Sequence, residues 1–386
     1  MKYCCKCIQP NTRPGIVFDE EGICSACRIS EQRKFIDWEA REQELRRIVR
    51  WAKSNSKGGF DCVVGVSGGK DSHFQAFYAR DQLGLKTLLV NSVPENITEV
   101  GRKNLNNLAE HGFDLISYRP NPKVMKSLTH KGFFEHGNPC KPSEYSLYAS
   151  SWIVAVGFNV PMVIQGENPV HTLGIVKDMS DGGNAYNIRE HNTVSGDNSQ
   201  WVGNGVELKD LLPYQFPSLE EVGSIKSVWL SHYIKEWSFT GNTEFAISKG
   251  LQGRPNHDPH KTGKLNRFCS VDSDIHLLNQ LLKYYKFGFG FVTDEVCYDI
   301  REGRLTREEG IRLVKQHDGR LDEKHIKDFC SYIEITVERF WDVVDGFINK
   351  DLFHKEGLWR VGGWTPKFVV GGDYVPREEN RGNSSG

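Results

Sequence analysis

The chain has 386 residues, with 49 Lys+Arg against 50 Asp+Glu and a formal net charge of −1. That length suffices for two or three domains with a sizeable core, and the charge balance argues against a nucleic-acid binder, which usually carries a basic excess. The N-terminus "MKYCCKCIQP" has no apolar run, and no stretch reaches the roughly 18 apolar residues of a membrane span, so a soluble cytoplasmic protein with no membrane partner is expected.

Residues 1–30 are rich in Cys, Pro and Gly and show no periodicity. Cys4 and Cys7 form one C-x-x-C, and Cys24 and Cys27 form another. Two such knuckles can bring four thiolates tetrahedrally around Zn2+. The segment is too short for its own core, so the metal would provide its folding energy. Two unrelated pairs, or a redox dithiol, are the bland alternatives, and the doubled motif is the more specific signal. Cys5 competes as a ligand, but Cys4 keeps the two-residue spacing to Cys7. With all four positions filled, the site is expected to be structural.

Residues 31–57 place apolar side chains at helical spacing and read as a connector of one or two amphipathic helices. From residue 58 the pattern changes. "FDCVVGV", "KTLLVNS", "DLISYRP" and "VPMVIQG" read as strands, and "DSHFQAFYARDQLG", "ITEVGRKNLNNLAEHG" and "EYSLYASSWIVAVGF" as the helices between them. Strands alternating with helices imply βαβ units and a parallel sheet, here assigned to residues 58–206. Residues 171–206 lose the pattern and form a long polar loop, of the kind that is usually either functional or disordered. Residues 207–375 read as mostly helical, "VWLSHYIKEW" and "IKDFCSYIEITVERFWDVVDGFI" included, and residues 376–386 as a disordered tail.

Between the first strand and its helix stands "VVGVSGGKDS". A Walker A loop fails here twice: Gly65 is only four residues before Gly69, and Asp71 stands where Ser or Thr belongs. Bare glycines at a helix N-terminus still suit phosphate, because backbone N–H groups can approach its oxygens. Ser67-Gly68-Gly69-Lys70-Asp71-Ser72 resembles the PP-loop of the N-type ATP pyrophosphatases, S-G-G-x-D-S in the same strand–loop–helix context. The resemblance implies an α/β, parallel-sheet PP-loop domain that binds ATP and cleaves it between the α- and β-phosphates. Ser67, Gly68, Gly69, Lys70, Asp71 and Ser72 would surround the phosphates, with Lys70 as a charge and Asp71 holding Mg2+, since a carboxylate repels phosphate unless a cation bridges them. Asn91, at the end of the second strand, lies where this class usually contacts adenine or ribose. A tight strand–helix turn without ligand is the bland alternative.

"CCKCIQPNTRPGIVFDEEGICSAC", "GVSGGKDS", "VNSVPENITEVGRKNLNNLAEHGFDLISYRP", "IQGENP" and "FGFGFVTDEVCYDIREGRLTREEGIRLVKQHDG" together resemble the N-acetyl sugar amidotransferase family of bacterial surface-polysaccharide and nonulosonic-acid pathways. The resemblance implies that the acetamido oxygen of a nucleotide-linked sugar is adenylated, and that ammonia then displaces AMP to leave an acetamidino group. Gly166 and Glu167 follow the fourth strand, where ligands of open α/β sheets bind, and Glu167 is a candidate to take the proton of attacking ammonia; an ordinary turn accounts for the same residues. Arg189 and His191 lie in the polar loop and are candidates to grip a phosphate or carboxylate, with a solvated loop as the alternative. Cys140 stands where related proteins carry a thiolation cysteine, but it lacks a C-x-x-C and reads as a packed or helix-start residue. Gly288-x-Gly290 lacks the third glycine of a dinucleotide loop. The rival reading, tRNA thiolation, also pairs a PP-loop with zinc knuckles; the neutral charge and the isolated Cys140 weigh against it. None of the ten cysteines sits in a glutaminase nucleophile setting, so a partner is expected to supply ammonia. The family resemblance implies a glutaminase plus barrel pair of the imidazole-glycerol-phosphate-synthase type.

Overall fold

The structure is a computed structural model, and it describes residues 1–57, 59–175, 182–190, 198–355 and 363–372. The expected tail at 376–386 and His191 lie outside the described residues. Two helices, α1 (Ser25–Gln32) and α2 (Trp38–Asn55), precede the sheet. Then follow β1 (Cys62–Gly65), α3 (Lys70–Phe77), β2 (Thr87–Ser92), α4 (Glu99–Glu110), β3 (Asp114–Tyr118), α5 (Pro122–His136), α6 (Lys141–Gly157), β4 (Met162–Gln165) and β5 (Lys226–Trp229). All five strands are parallel, in the order β3-β2-β1-β4-β5.

β1, β2 and β4 carry near-continuous apolar runs because both faces of the sheet are covered. Successive side chains alternate between those faces. Val64, Leu89 and Ile164 pack with Leu45 and Val49 of α2 and Phe74 and Phe77 of α3. Val63, Leu88 and Val163 pack on the other side, against Val124 and Leu128 of α5 and Trp152 of α6.

Two sequence expectations change here. "VWLSHYIKEW", read as helical, supplies the fifth strand, followed by a single helical turn at Leu230–Tyr233. Short apolar runs do not distinguish strand from helix by periodicity, and pairing with β4, Ile164 opposite Val228, decides the conformation. The parallel sheet therefore continues past the boundary expected at residue 206. The described parts of the 171–206 loop are partly packed: Ala185, Tyr186, Ile188 and Trp201 are buried in the second core, while Val202, Gly203, Asn204 and Gly205 are exposed.

The C-terminal part contains α7 (Phe239–Ser248), α8 (Ile275–Phe287), α9 (Phe291–Arg301), α10 (Arg307–His317), α11 (Glu323–Ile333) and α12 (Val337–Phe347). Leu278, Leu281, Leu282, Phe329 and Phe340 form its core together with Phe133 of α5. The N-terminal knuckles do not stand on metal alone. Ile8 and Ile23 share a core with Val292 and Val296 of α9. No helix among the described residues is long and apolar enough to cross a membrane.

Candidate functional site

The strand order reverses between β1 and β4, and ligands of open α/β sheets bind at the carboxyl ends of strands flanking such a point. Ser67, Gly68 and Gly69 leave β1 there and Lys70 opens α3. Gly68 has φ +85, and a Cβ on it would sit 3.0 Å from the Gly101 carbonyl oxygen, so glycine is required twice over. Asn104 Nδ2 donates to the Gly68 carbonyl at 2.9 Å, and through its other contacts ties the loop to Gln252. Within the loop, Ser72 Oγ donates to the Gly69 carbonyl at 2.9 Å, and His73 Nδ1 lies 3.0 Å from the same oxygen. Gly69 caps α3 without any side-chain cap, which leaves the helix N-terminus to other partners.

Lys70 is 2 % exposed, and its Nζ lies 2.8 Å from both carboxylate oxygens of Asp71. The Phe239 ring covers the ammonium at 3.8 Å, a cation–π contact. Asn242 Nδ2 donates to Asp71 Oδ1 at 2.8 Å. The carboxylate expected to hold Mg2+ is thus held by Lys70 on one side and by α7 on the other. Asn91 is buried at the end of β2. Its Nδ2 donates to the Val66 carbonyl at 2.8 Å, while its buried Oδ1 has no partner.

At the end of β4, Gly166 is fixed by packing: a Cβ there would fall 2.5 Å from Trp237 and 2.7 Å from Gln75. Glu167 follows, and Tyr298 Oη of α9 donates to its Oε1 at 3.1 Å. Burial raises the Glu167 carboxyl above the ordinary carboxylate range, and the charge of nearby Asp71 adds to the rise. A carboxylate raised in this direction is a stronger proton acceptor than an ordinary one. Glu167 and Tyr298 form a wall between two cavities. The first, about 610 Å³, runs from them past Trp237 and Phe239 to Arg33 and Lys235. The second, about 680 Å³, lies on their other side.

The four knuckle cysteines converge, with all four sulfurs within 4.8 Å of one another. Cys4 Sγ–Cys27 Sγ is 3.9 Å and Cys7 Sγ–Cys24 Sγ is 3.7 Å. A regular tetrahedron with Zn–S bonds of about 2.3 Å has S···S edges of about 3.8 Å, which these two pairs match, so the four cysteines could hold zinc. The amides of Gln9 and Cys24 point at sulfur, at 3.4 and 3.2 Å. Cys5 Sγ turns away to the Glu21 carbonyl at 3.2 Å and is outside the cluster. Arg307 Nε donates to the Cys4 and Cys7 carbonyls, bracing the first knuckle from α10.

The weaker candidates separate. Cys140 is buried at the start of α6, and burial pushes its thiol well up, the opposite of a reactive thiolate. Arg189 stacks on Tyr186 and pairs with Glu190 at 3.5 Å. Gly288 is the left-handed cap of α8, and Gly290 N donates to Asp318, so this segment is a helix–helix turn. Asn242, Phe239, Asn104 and Tyr298 were not legible in sequence. Each reaches the loop or Glu167 from a distant element, and no local motif marks it.

Residues 262–365, which span α8 to α12 and carry Tyr298, match the family model described as "LPS biosynthesis protein WbpG-like, C-terminal domain". No curated protein matches the chain. The match supports a protein of polysaccharide biosynthesis.

Proposed function

We propose that the protein is an ATP-dependent amidotransferase of surface-polysaccharide biosynthesis, acting on the N-acetyl group of a nucleotide-linked sugar. The observation that carries this reading is the pairing of Lys70 with Asp71, on a glycine-rich loop at a helix N-terminus, close enough to the half-buried Glu167 for both charges to act on its carboxyl. In this reading ATP is a substrate. Its phosphates lie over the bare loop at the α3 N-terminus, Lys70 turns from Asp71 to phosphate oxygen, and Asp71, freed of it, takes the Mg2+ that accompanies ATP. The acetamido oxygen attacks the α-phosphorus and pyrophosphate leaves. Ammonia then adds to the amide carbon, Glu167 takes the proton it loses, and AMP departs with the former amide oxygen. In this reading the two bound reactants displace water from the crevice and are held in contact there.

Zn2+ on Cys4, Cys7, Cys24 and Cys27 has a structural role in this reading, and ammonia comes from a separate glutaminase plus barrel pair. Thiolation of tRNA is the weaker reading, since the cysteine it would use, Cys140, is buried and held as a thiol. Incubation of the chain with ATP, ammonium and a panel of nucleotide N-acetyl sugars tests the reading. AMP, pyrophosphate and a product lighter by about 1 Da are expected, from exchange of O for NH. ADP and phosphate as the acceptor-dependent products would refute it.

A further inference from the structure

Helix α8 has two faces. Ile275, Leu278, Leu281, Leu282 and Tyr285 are buried in the helical core. His276, Asn279, Gln280, Lys283, Lys286 and Phe287 recur at helical spacing on the other side. A polar helix face ordinarily meets solvent. Here all six residues line the second cavity, the one of about 680 Å³ behind Glu167 and Tyr298.

The lining has the chemistry of a ligand site. Gln280 Oε1 is buried without a hydrogen-bond partner, a cost that a bound donor would remove. Arg13 and Lys283 share a single carboxylate, Asp294, and Glu144 and Glu167 also line the cavity, so its three cations face three carboxylates and the free cationic group is sought at Lys286. Lys286 Nζ donates to the His136 carbonyl at 2.8 Å and has no carboxylate partner among the described residues. Aromatic faces stand beside these groups: Arg13 and Lys283 both lie over Phe289, at 4.6 and 4.9 Å, and Tyr148 and Phe287 complete the wall. Cations, amides and aromatic rings together suit a ligand with phosphate at one end and a hydroxylated ring at the other. The volume lies within the range of small-molecule sites.

We propose that this second cavity is the acceptor site and takes a nucleoside-diphosphate N-acetyl sugar. The diphosphate lies at Lys283 and Lys286, the sugar ring lies against the aromatic faces and the Asn279 and Gln280 amides, and the acetamido group reaches Glu167. The inference rests on the adenylation reading, which requires the acceptor amide and the ATP phosphates to meet, and Glu167 is the carboxylate common to both sides. It also gives the zinc module a reason to be where it is. Arg13, Pro14 and Gly15 lie between the two knuckles and line the same cavity.

Calorimetric titration of the full chain, without ATP, uses UDP-N-acetylglucosamine and UDP-N-acetylgalactosamine as probes. Wild type is expected to bind at least one. Lys286→Met should weaken that binding about 10-fold, the scale of one lost hydrogen bond to a charged group, Gln280→Leu should weaken it about 5-fold, the scale of a neutral one, and Lys286→Arg should restore most of the first loss. Thermal melts check that each variant folds, with Asn279→Ala replacing any that does not. Failure of wild type to bind either probe overturns the proposal. So does a larger loss from Arg33→Met, in the first cavity, than from the variants in the second. A parallel assay of AMP formation separates the two claims. Probe binding that responds to these variants, with no AMP from any acceptor, would sink the adenylation reading and keep the site. AMP formation with an acceptor KM unmoved by the variants would sink the site and keep the reading.

Discussion

Asn242→Ala tests whether α7 positions the loop carboxylate. Asn242 is 0 % exposed and donates to Asp71 Oδ1 at 2.8 Å. A hydrogen bond to a charged group contributes about 1.5–3 kcal/mol, which is about 10- to 150-fold if it is felt wholly in the rate-limiting step. Two features place the effect at the lower end. Asp71 keeps Lys70 at 2.8 Å, and its side chain is 35 % exposed, so water can take the place of the lost amide. The expected loss in kcat/KM for ATP is therefore about 10-fold. Asn242→Asp should cut deeper, because it sets a second carboxylate against the first. Initial rates of pyrophosphate release with saturating acceptor and ammonium report both, and thermal melts separate positioning from unfolding. If Asn242→Ala and Asn242→Asp turned over like wild type while Asp71→Ala was inactive, Asn242 would have no hold on the carboxylate and the reasoning would fail.

Protein produced without added metal should carry about one zinc per chain, and elemental analysis of Cys24→Ser/Cys27→Ser should show none; zinc kept by that variant would place it elsewhere. Because the knuckles share a core with α9, chelation should lower the melting temperature of the whole chain, not only expose residues 1–30 to protease. Gly68→Ala should cost about 1–2 kcal/mol for its left-handed backbone alone, read by chemical denaturation, and should raise the KM for ATP. Burial lowers His73 from 6.5 to about 4. The folded state holds it neutral while the unfolded chain protonates, so its stabilisation is full above pH 6.5 and is lost as pH falls toward about 4, at up to about 1.4 kcal/mol per pH unit. His73→Gln should make the melting temperature fall less between pH 7 and pH 5, and an equal fall in both proteins would contradict this. Glu167→Gln should remove the low-pH limb of the rate profile, since the raised Glu167 carboxyl must ionise to accept a proton.

Much of this protein is written locally. Cys4, Cys7, Cys24 and Cys27 announce themselves by spacing, because a metal site needs short, fixed loops between its ligands. Ser67 to Ser72 do so because a tight strand-to-helix turn needs glycine where φ is positive, as at Gly68. The apolar runs of β1, β2 and β4 and the helices between them set the parallel α/β layer. What sequence left open are contacts between elements far apart in the chain. Val228 and Trp229 became a strand because β4 offered an unpaired edge. Asn242 holds Asp71, and Tyr298 holds Glu167, across 171 and 131 residues of chain. The polar stripe of α8 reads as a solvated face until α6 and the zinc module close a cavity over it. Local motifs follow from backbone sterics and ligand geometry, which a short segment carries by itself. The meeting of loop, carboxyl and cavity follows from how the packed layers bury their apolar faces, and that is decided only by the whole chain.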